Sequence, residues 1–169
     1  MQIELIVLRL VHILGAIIWV GAAIYSFIFL LPAIAQSGPA GGQVMMNLQK
    51  RKLFTALPII AILTILSGIR LMQIVSTGFS ASYFATGMGR TYAISGLLAI
   101  IGFLIGVVIS RPGALRLQKL QASAASDPTS KEMVQAEIRA LQSRVAMSGT
   151  VATALIVAAA MGMAVARYM

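Results

Sequence analysis

Four long apolar stretches alternate with shorter polar segments along this chain of 169 residues. Each apolar stretch is about 20 residues or longer, which is the length that an α-helix needs to cross a bilayer. The predicted spans are residues 5–31, 53–75, 90–109 and 145–166. We therefore predict an all-α fold, in which four helices cross the membrane as an up-down bundle. This polytopic bundle is predicted to form a single transmembrane domain over residues 1–169. The polar segment 111–144 has helical periodicity of its own and is predicted to be a helical hairpin between helices 3 and 4.

The first span has two unlike faces when it is drawn as a helix. One face combines small residues with the polar and aromatic ones: His12, Gly15, Ala16, Trp19, Ala22, Ala23 and Ser26. The other face is aliphatic: Leu10, Ile13, Leu14, Ile17, Ile24 and Ile28. The aliphatic face suits lipid, and the small-residue face suits close contact with other helices. The remaining spans carry similar stripes of small residues, so all four are expected to pack together.

The segments between the spans contain residues that usually interrupt helices. Pro32 to Asn47 is rich in Gly, Pro, Ala and Ser and is predicted to be a loop. Residues 76–89 carry no formal charge and are predicted to be an interfacial loop. Arg111-Pro112-Gly113 is expected to interrupt the helix after the third span. Asp127-Pro128 is expected to start a further helix.

The distribution of charge predicts an orientation. Nine of the 13 Lys and Arg residues lie in the first and third connecting segments. The opposite side has four, counting Arg9 and Arg70 near the ends of their helices. The positive-inside rule then places those two segments, including the hairpin, in the cytoplasm and both termini outside. The sequence thus predicts a multi-pass protein of the inner (cytoplasmic) membrane.

The composition excludes several classes of protein. A net charge of +9 could indicate nucleic-acid binding, but the positive residues lie beside apolar spans, where anionic lipid headgroups explain them, so no nucleic-acid partner is expected. The absence of cysteine excludes disulfides and thiolate metal sites.

An Ala-x-Ala at residues 33–35 resembles a signal-peptide cleavage site, but the apolar run before it is too long, so we expect a retained span. No Ser-His-Asp set, phosphate loop, paired catalytic carboxylates or zinc spacing is present, and no catalytic residue is assigned.

His12, the only histidine, is the main candidate for a functional site. An ionisable side chain inside a membrane span needs partners and marks a site by default. A neutral imidazole nitrogen could ligate the iron of haem b or a related porphyrin, with Arg70 or Arg90 pairing the propionates. It could alternatively ligate copper, assisted by Met72 or Met88. The structural alternative is a hydrogen bond from His12 to a hydroxyl or carbonyl group on a neighbouring helix.

Two functions remain open at this point. In one, the protein binds a haem-like cofactor or metal at His12, and any redox chemistry would be that of the cofactor. In the other, it is a non-catalytic accessory or scaffold subunit of a larger membrane complex, whose small-residue stripes serve helix association. One chain offers a single histidine, so bis-histidine ligation would require a homodimer. The lipid bilayer is the partner expected in every case.

Two motifs carry a resemblance to a known group of membrane proteins. The first span, LVHILGAIIWVGAAIY, has a histidine followed by Trp-x-Gly (His12, Trp19, Gly21). The second, RKLFTALPIIAILTILSGIRLM, has a basic-Leu…Pro…Gly-Ile-x-Leu pattern (Arg51, Lys52, Leu53, Pro58, Gly68, Ile69, Leu71). With a basic linker before the fourth span, the chain resembles four-helix membrane proteins related to copper-resistance protein D, a group that includes the J-type protoporphyrinogen oxidases and uncharacterised predicted membrane proteins.

The resemblance covers nearly the whole chain. It implies an up-down bundle and, for the oxidase branch, haem or porphyrin near the first-helix histidine. The sequence departs from that branch at two places: Leu31-Pro32-Ala33 stands where an arginine is expected, and residues 91–109 contain no lysine. His12 is the one ligand that the resemblance carries over.

Overall fold

The four predicted spans are confirmed as long apolar helices. A computed structural model describes residues 2–126 and 131–169, and this part of the chain is helical with short turns and contains no strand. Four helical stretches are long and apolar enough to cross a membrane: Gln2–Gln36, Leu53–Val75, Gly87–Gln121 and Gln135–Tyr168. Each predicted span lies within one of them.

Eight α-helices make up the described chain, two of them extended by short π-helical segments. In chain order they are α1 (Gln2–Tyr25), a π segment (Ser26–Leu30), α2 (Leu31–Gln36), α3 (Gly38–Lys50), α4 (Leu53–Val75), α5 (Ala81–Phe84), α6 (Gly87–Ile105), a second π segment (Gly106–Ser110), α7 (Arg111–Ser126), α8 (Lys131–Val165) and a 3₁₀ turn (Ala166–Tyr168).

Helices α1 and α4 form an antiparallel pair. Gly15 lies against the side chain of Thr64 so closely that a methyl group on Gly15 would clash, while Glu4, earlier in α1, pairs with Arg70, later in α4. The buried residues of α4 are small or hydroxylated: Ala61, Thr64 and Ser67. Five of the six residues of the predicted lipid face are more than half exposed: Leu10, Ile13, Leu14, Ile17 and Ile28. The sixth, Ile24, is half-buried.

Helices α6 and α8 form the second antiparallel pair. A methyl group on Gly102 would lie 2.8 Å from the Ile156 side chain, and one on Gly162 would clash with Ser95. The buried core of α8 here is Ala152, Ile156 and Ala159. Small residues at these positions let the two backbones approach closely, as the stripes predicted. The two pairs meet where Phe27 packs on Gly149 and where Trp19 meets Phe103 edge to face at 6.1 Å.

The predicted loop at Pro32–Asn47 is wrong. These residues lie in α2 and α3, separated by a turn at Ser37 with Gly38 in the left-handed region. Gly41 is buried and sits against the backbone carbonyl of Ile34, which brings α3 into direct contact with α2. Glycine and proline here make a tight helix–helix turn and a close packing contact, whereas the sequence pattern alone indicated an open loop.

The break predicted at Arg111-Pro112-Gly113 is also wrong. The helix continues from α6 through the second π segment into α7. Gly113 packs against Val145, and Arg116 pairs with Glu137 of α8 at 2.6 Å, so the predicted hairpin extends the α6–α8 pair. We name this extension, α7 with residues 135–144 of α8, the helical arm. The predicted helix start at Asp127-Pro128 lies outside the described residues.

Candidate functional site at His12

His12 faces α4 and is anchored to its backbone. The half-buried imidazole donates from Nδ1 to the carbonyl oxygen of Thr64 at 2.8 Å. The same carbonyl accepts a hydrogen bond from the Ser67 hydroxyl at 2.9 Å, and Ser67 Oγ lies 3.5 Å from Nδ1. A carbonyl can only accept, so Nδ1 carries the proton and a neutral ring leaves the Nε2 lone pair free.

Gly68 makes room for the imidazole. A methyl group at this position would lie 2.6 Å from Cε1 and 3.0 Å from Nδ1 of His12. Both distances are shorter than ordinary van der Waals contact, so any side chain at residue 68 would push the ring away from the Thr64 carbonyl. The glycine in the Gly-Ile-x-Leu motif of α4 therefore has a direct role at the histidine.

The second ring nitrogen of His12 has no protein partner. Within the described residues, Nε2 makes no hydrogen bond, and no fully buried side-chain nitrogen or oxygen lacks a partner, so Nε2 is not sealed inside the protein. An imidazole whose Nδ1–H is held by a backbone carbonyl and whose Nε2 is open has the arrangement commonly found in histidines that ligate metals. The structural hydrogen bond and the capacity to ligate thus coexist on one ring.

Arg70 is already paired within the protein. Its guanidinium donates to Oε1 of Glu4 from Nη2 at 2.6 Å and from Nε at 3.0 Å, and Nη1 donates to Gln73 Oε1 at 2.9 Å. Both side chains of the ion pair are nearly half exposed, at 48% and 42%. Arg90 is exposed in the first turn of α6, and its side chain makes no ion pair or hydrogen bond with a described residue. Arg70 is therefore the less available of the two predicted propionate partners.

The two predicted methionine ligands are both half-buried. Met72 follows Gly68 by four residues, which places it on the same side of α4 about 6 Å further along the axis. Met88 lies on α6, next to the buried Gly89. No group of three or more His, Cys, Asp or Glu side chains forms a metal-binding cluster in the part of the chain that the structure describes.

Sequence reasoning found His12 and the small-residue face of α4 but missed two groups at the site. Ser67 was not singled out, although hydroxyl residues at 64 and 67 followed by Gly68 are a signal for a polar contact inside a span. Glu4 was not assigned as the partner of Arg70, because the pairing depends on how α1 and α4 are aligned. That alignment follows from packing and is not written in either helix alone.

The fold and this site define a helical, multi-span membrane protein with one imidazole anchored to the backbone of its second span. No protein-family model matches the chain, and comparisons with curated proteins and with solved structures also find no match.

Proposed function

We propose that this is an integral membrane protein that holds haem b or a related porphyrin through Nε2 of His12. The proposal rests on the different surroundings of the two nitrogens of the His12 imidazole. Nδ1 donates to the Thr64 carbonyl, whereas Nε2 has no partner among the described residues. The bound haem would supply one-electron chemistry. His12 would hold the iron through Nε2, with its tautomer fixed by the Thr64 carbonyl, and the spans would supply an apolar surrounding. The resemblance to proteins related to copper-resistance protein D points the same way.

The donor set favours a porphyrin over a bare metal ion. His12 is the only strong nitrogen ligand in the chain, and there is no cysteine. A porphyrin brings four nitrogen ligands with it, so one histidine is enough to fix it, whereas copper would need further ligands from the protein. Copper bound by His12 with Met72 or Met88 is the second form of the proposal, and metal analysis separates the two.

The proposed setting is the inner (cytoplasmic) membrane, with an up-down arrangement of four spans and both termini extracytoplasmic. The antiparallel pairing of α1 with α4 and of α6 with α8 supports the up-down order. The nine positive residues at the α3–α4 turn and on the segment that includes the helical arm support a cytoplasmic position for both. His12 would then lie in the outer half of the membrane.

A non-catalytic accessory or scaffold role is the second candidate function. The helical arm extends beyond the length of α6 that a bilayer requires, and such a surface could contact a protein partner. Under this alternative the Nδ1 hydrogen bond of His12 would only join α1 to α4. A homodimer or a larger membrane complex would be its functional form.

Absorption spectroscopy and metal analysis of detergent-purified protein test the proposal. We expect a Soret band and stoichiometric iron in the wild type, and loss of both in His12→Ala and His12→Gln. Glutamine can still donate to the Thr64 carbonyl, so it separates loss of the ligand from loss of the helix contact. Ser67→Ala, which leaves Nε2 in place, is the matched control and should keep the band. A wild type with neither a Soret band nor stoichiometric copper or iron overturns the proposal and leaves the scaffold role.

A further inference from the structure

Arg9 lies one helical turn before His12 on α1. They are three positions apart in the sequence, so the two side chains leave the helix about 60° apart and about 4.5 Å apart along its axis. Arg9 is exposed, whereas His12 is half-buried against α4. Long side chains on a helix lean towards its N-terminus, so the guanidinium extends from His12 towards the start of α1. A ligand held at Nε2 of His12 and reaching in that direction would meet Arg9.

The charge of Arg9 is not neutralised by the protein. The chain has four acidic residues, and among those in the described residues Glu4 is the one at the same end of the spans as Arg9. Glu4 is engaged by Arg70, and Arg9 makes no ion pair or side-chain hydrogen bond with any residue in the two described ranges. A cation within an apolar span is costly unless an anion or water compensates it. The compensating group therefore has to come from outside the described chain.

We propose that Arg9 is the anion-binding half of the His12 site and pairs with a carboxylate of the ligand that His12 holds. The inference rests on the proposed function and narrows the ligand class to a planar, apolar metal-binding molecule with an acidic substituent. It also moves the role of carboxylate partner from Arg70, which is already paired, to Arg9. A membrane lipid phosphate is the other source of the same anionic chemistry.

Haem and haem dimethyl ester are the probes that test this pairing. The ester has the same ring and iron but no free carboxylates, so it keeps the contact with His12 and loses any ion pair. The full-length protein is placed in nanodiscs of zwitterionic phospholipid, and each probe is titrated spectroscopically. The wild type should bind haem about 10-fold or more tightly than the ester, because hydrogen bonds to charged groups are the stronger ones.

The variants distinguish Arg9 from Arg70, another arginine at the same end of the spans. Arg9→Gln should bind haem and the ester equally, Arg9→Lys should keep most of the preference, and Arg70→Gln should behave as the wild type. Unchanged preference in Arg9→Gln, with binding still lost in His12→Ala, overturns the role of Arg9 and leaves the proposed function standing. The same result would assign Arg9 to lipid phosphate. Haem binding that survives in His12→Ala overturns the proposed function itself.

Discussion

The acceptor for His12 is a backbone carbonyl, which no substitution at Thr64 can remove. What a substitution can change is the space around the ring. Gly68 provides that space by leaving the α4 backbone bare beside Cε1 and Nδ1. The position of the imidazole therefore depends on the lack of a side chain at residue 68 as much as on the hydrogen bond.

Gly68→Ala should displace the imidazole from the Thr64 carbonyl. The added methyl would lie 2.6 Å from Cε1, and forcing an extra methyl into a packed contact costs about 1–3 kcal/mol. We expect a lower melting temperature in detergent and about 10-fold weaker haem binding, since the cost of displacing the ring is on the order of 1.4 kcal/mol. Gly21→Ala is the matched control, because nothing lies within 4 Å of a methyl there. Equal behaviour of the two variants would show that residue 68 does not position His12.

At the scale of helices, the apolar and small-residue patterns predicted where the spans lie and which faces meet. They could not predict that the helices continue through Pro32 and Pro112. In both cases a five-residue π segment ends two residues before the proline, at Leu30 and at Ser110. The wider π turn relieves the clash between a proline ring and the carbonyl four residues earlier. A sequence pattern records the proline but not the backbone adjustment that accommodates it.

The second π segment leaves the register of the α6–α8 pair unchanged. From Gly102 to Gly113 the first helix of the pair advances 11 residues, and the residues that these two glycines contact, Ile156 and Val145, are also 11 apart. The hydrogen bond between Ser110 and Ser148, at 2.9 Å, lies between these two contacts. The helical arm therefore continues the pair in register with its membrane part.

At the scale of the molecule, the candidate site and the helical arm belong to different helix pairs. His12 lies in the α1–α4 pair, near the end that carries Glu4 and Arg70, whereas the helical arm extends α6 and α8 from the opposite end. Between those ends the two helix pairs are joined by two contacts, that of Phe27 with Gly149 and that of Trp19 with Phe103. If the chain spans a membrane, the site and the helical arm must therefore lie towards opposite surfaces. Which surface each one faces depends on the orientation of the bundle.

Single cysteines can determine that orientation without background, because the chain contains none. Three exposed positions mark the two sides: Asn47 in α3 and Lys119 in the helical arm on one, and Ser82 in the α4–α6 connection on the other. With the protein in a bacterial inner membrane, a membrane-impermeant maleimide added from the periplasmic side should label Ser82→Cys and leave Asn47→Cys and Lys119→Cys unlabelled until the membrane is permeabilised. This result is expected because nine positive residues resist translocation and hold their side in the cytoplasm. The reverse labelling would place His12 in the cytoplasmic half, so that any haem or metal would have to reach it from the cytoplasm. Labelling of all three in intact cells would mean that the chain does not adopt a single orientation, and the proposed orientation would then have to be abandoned.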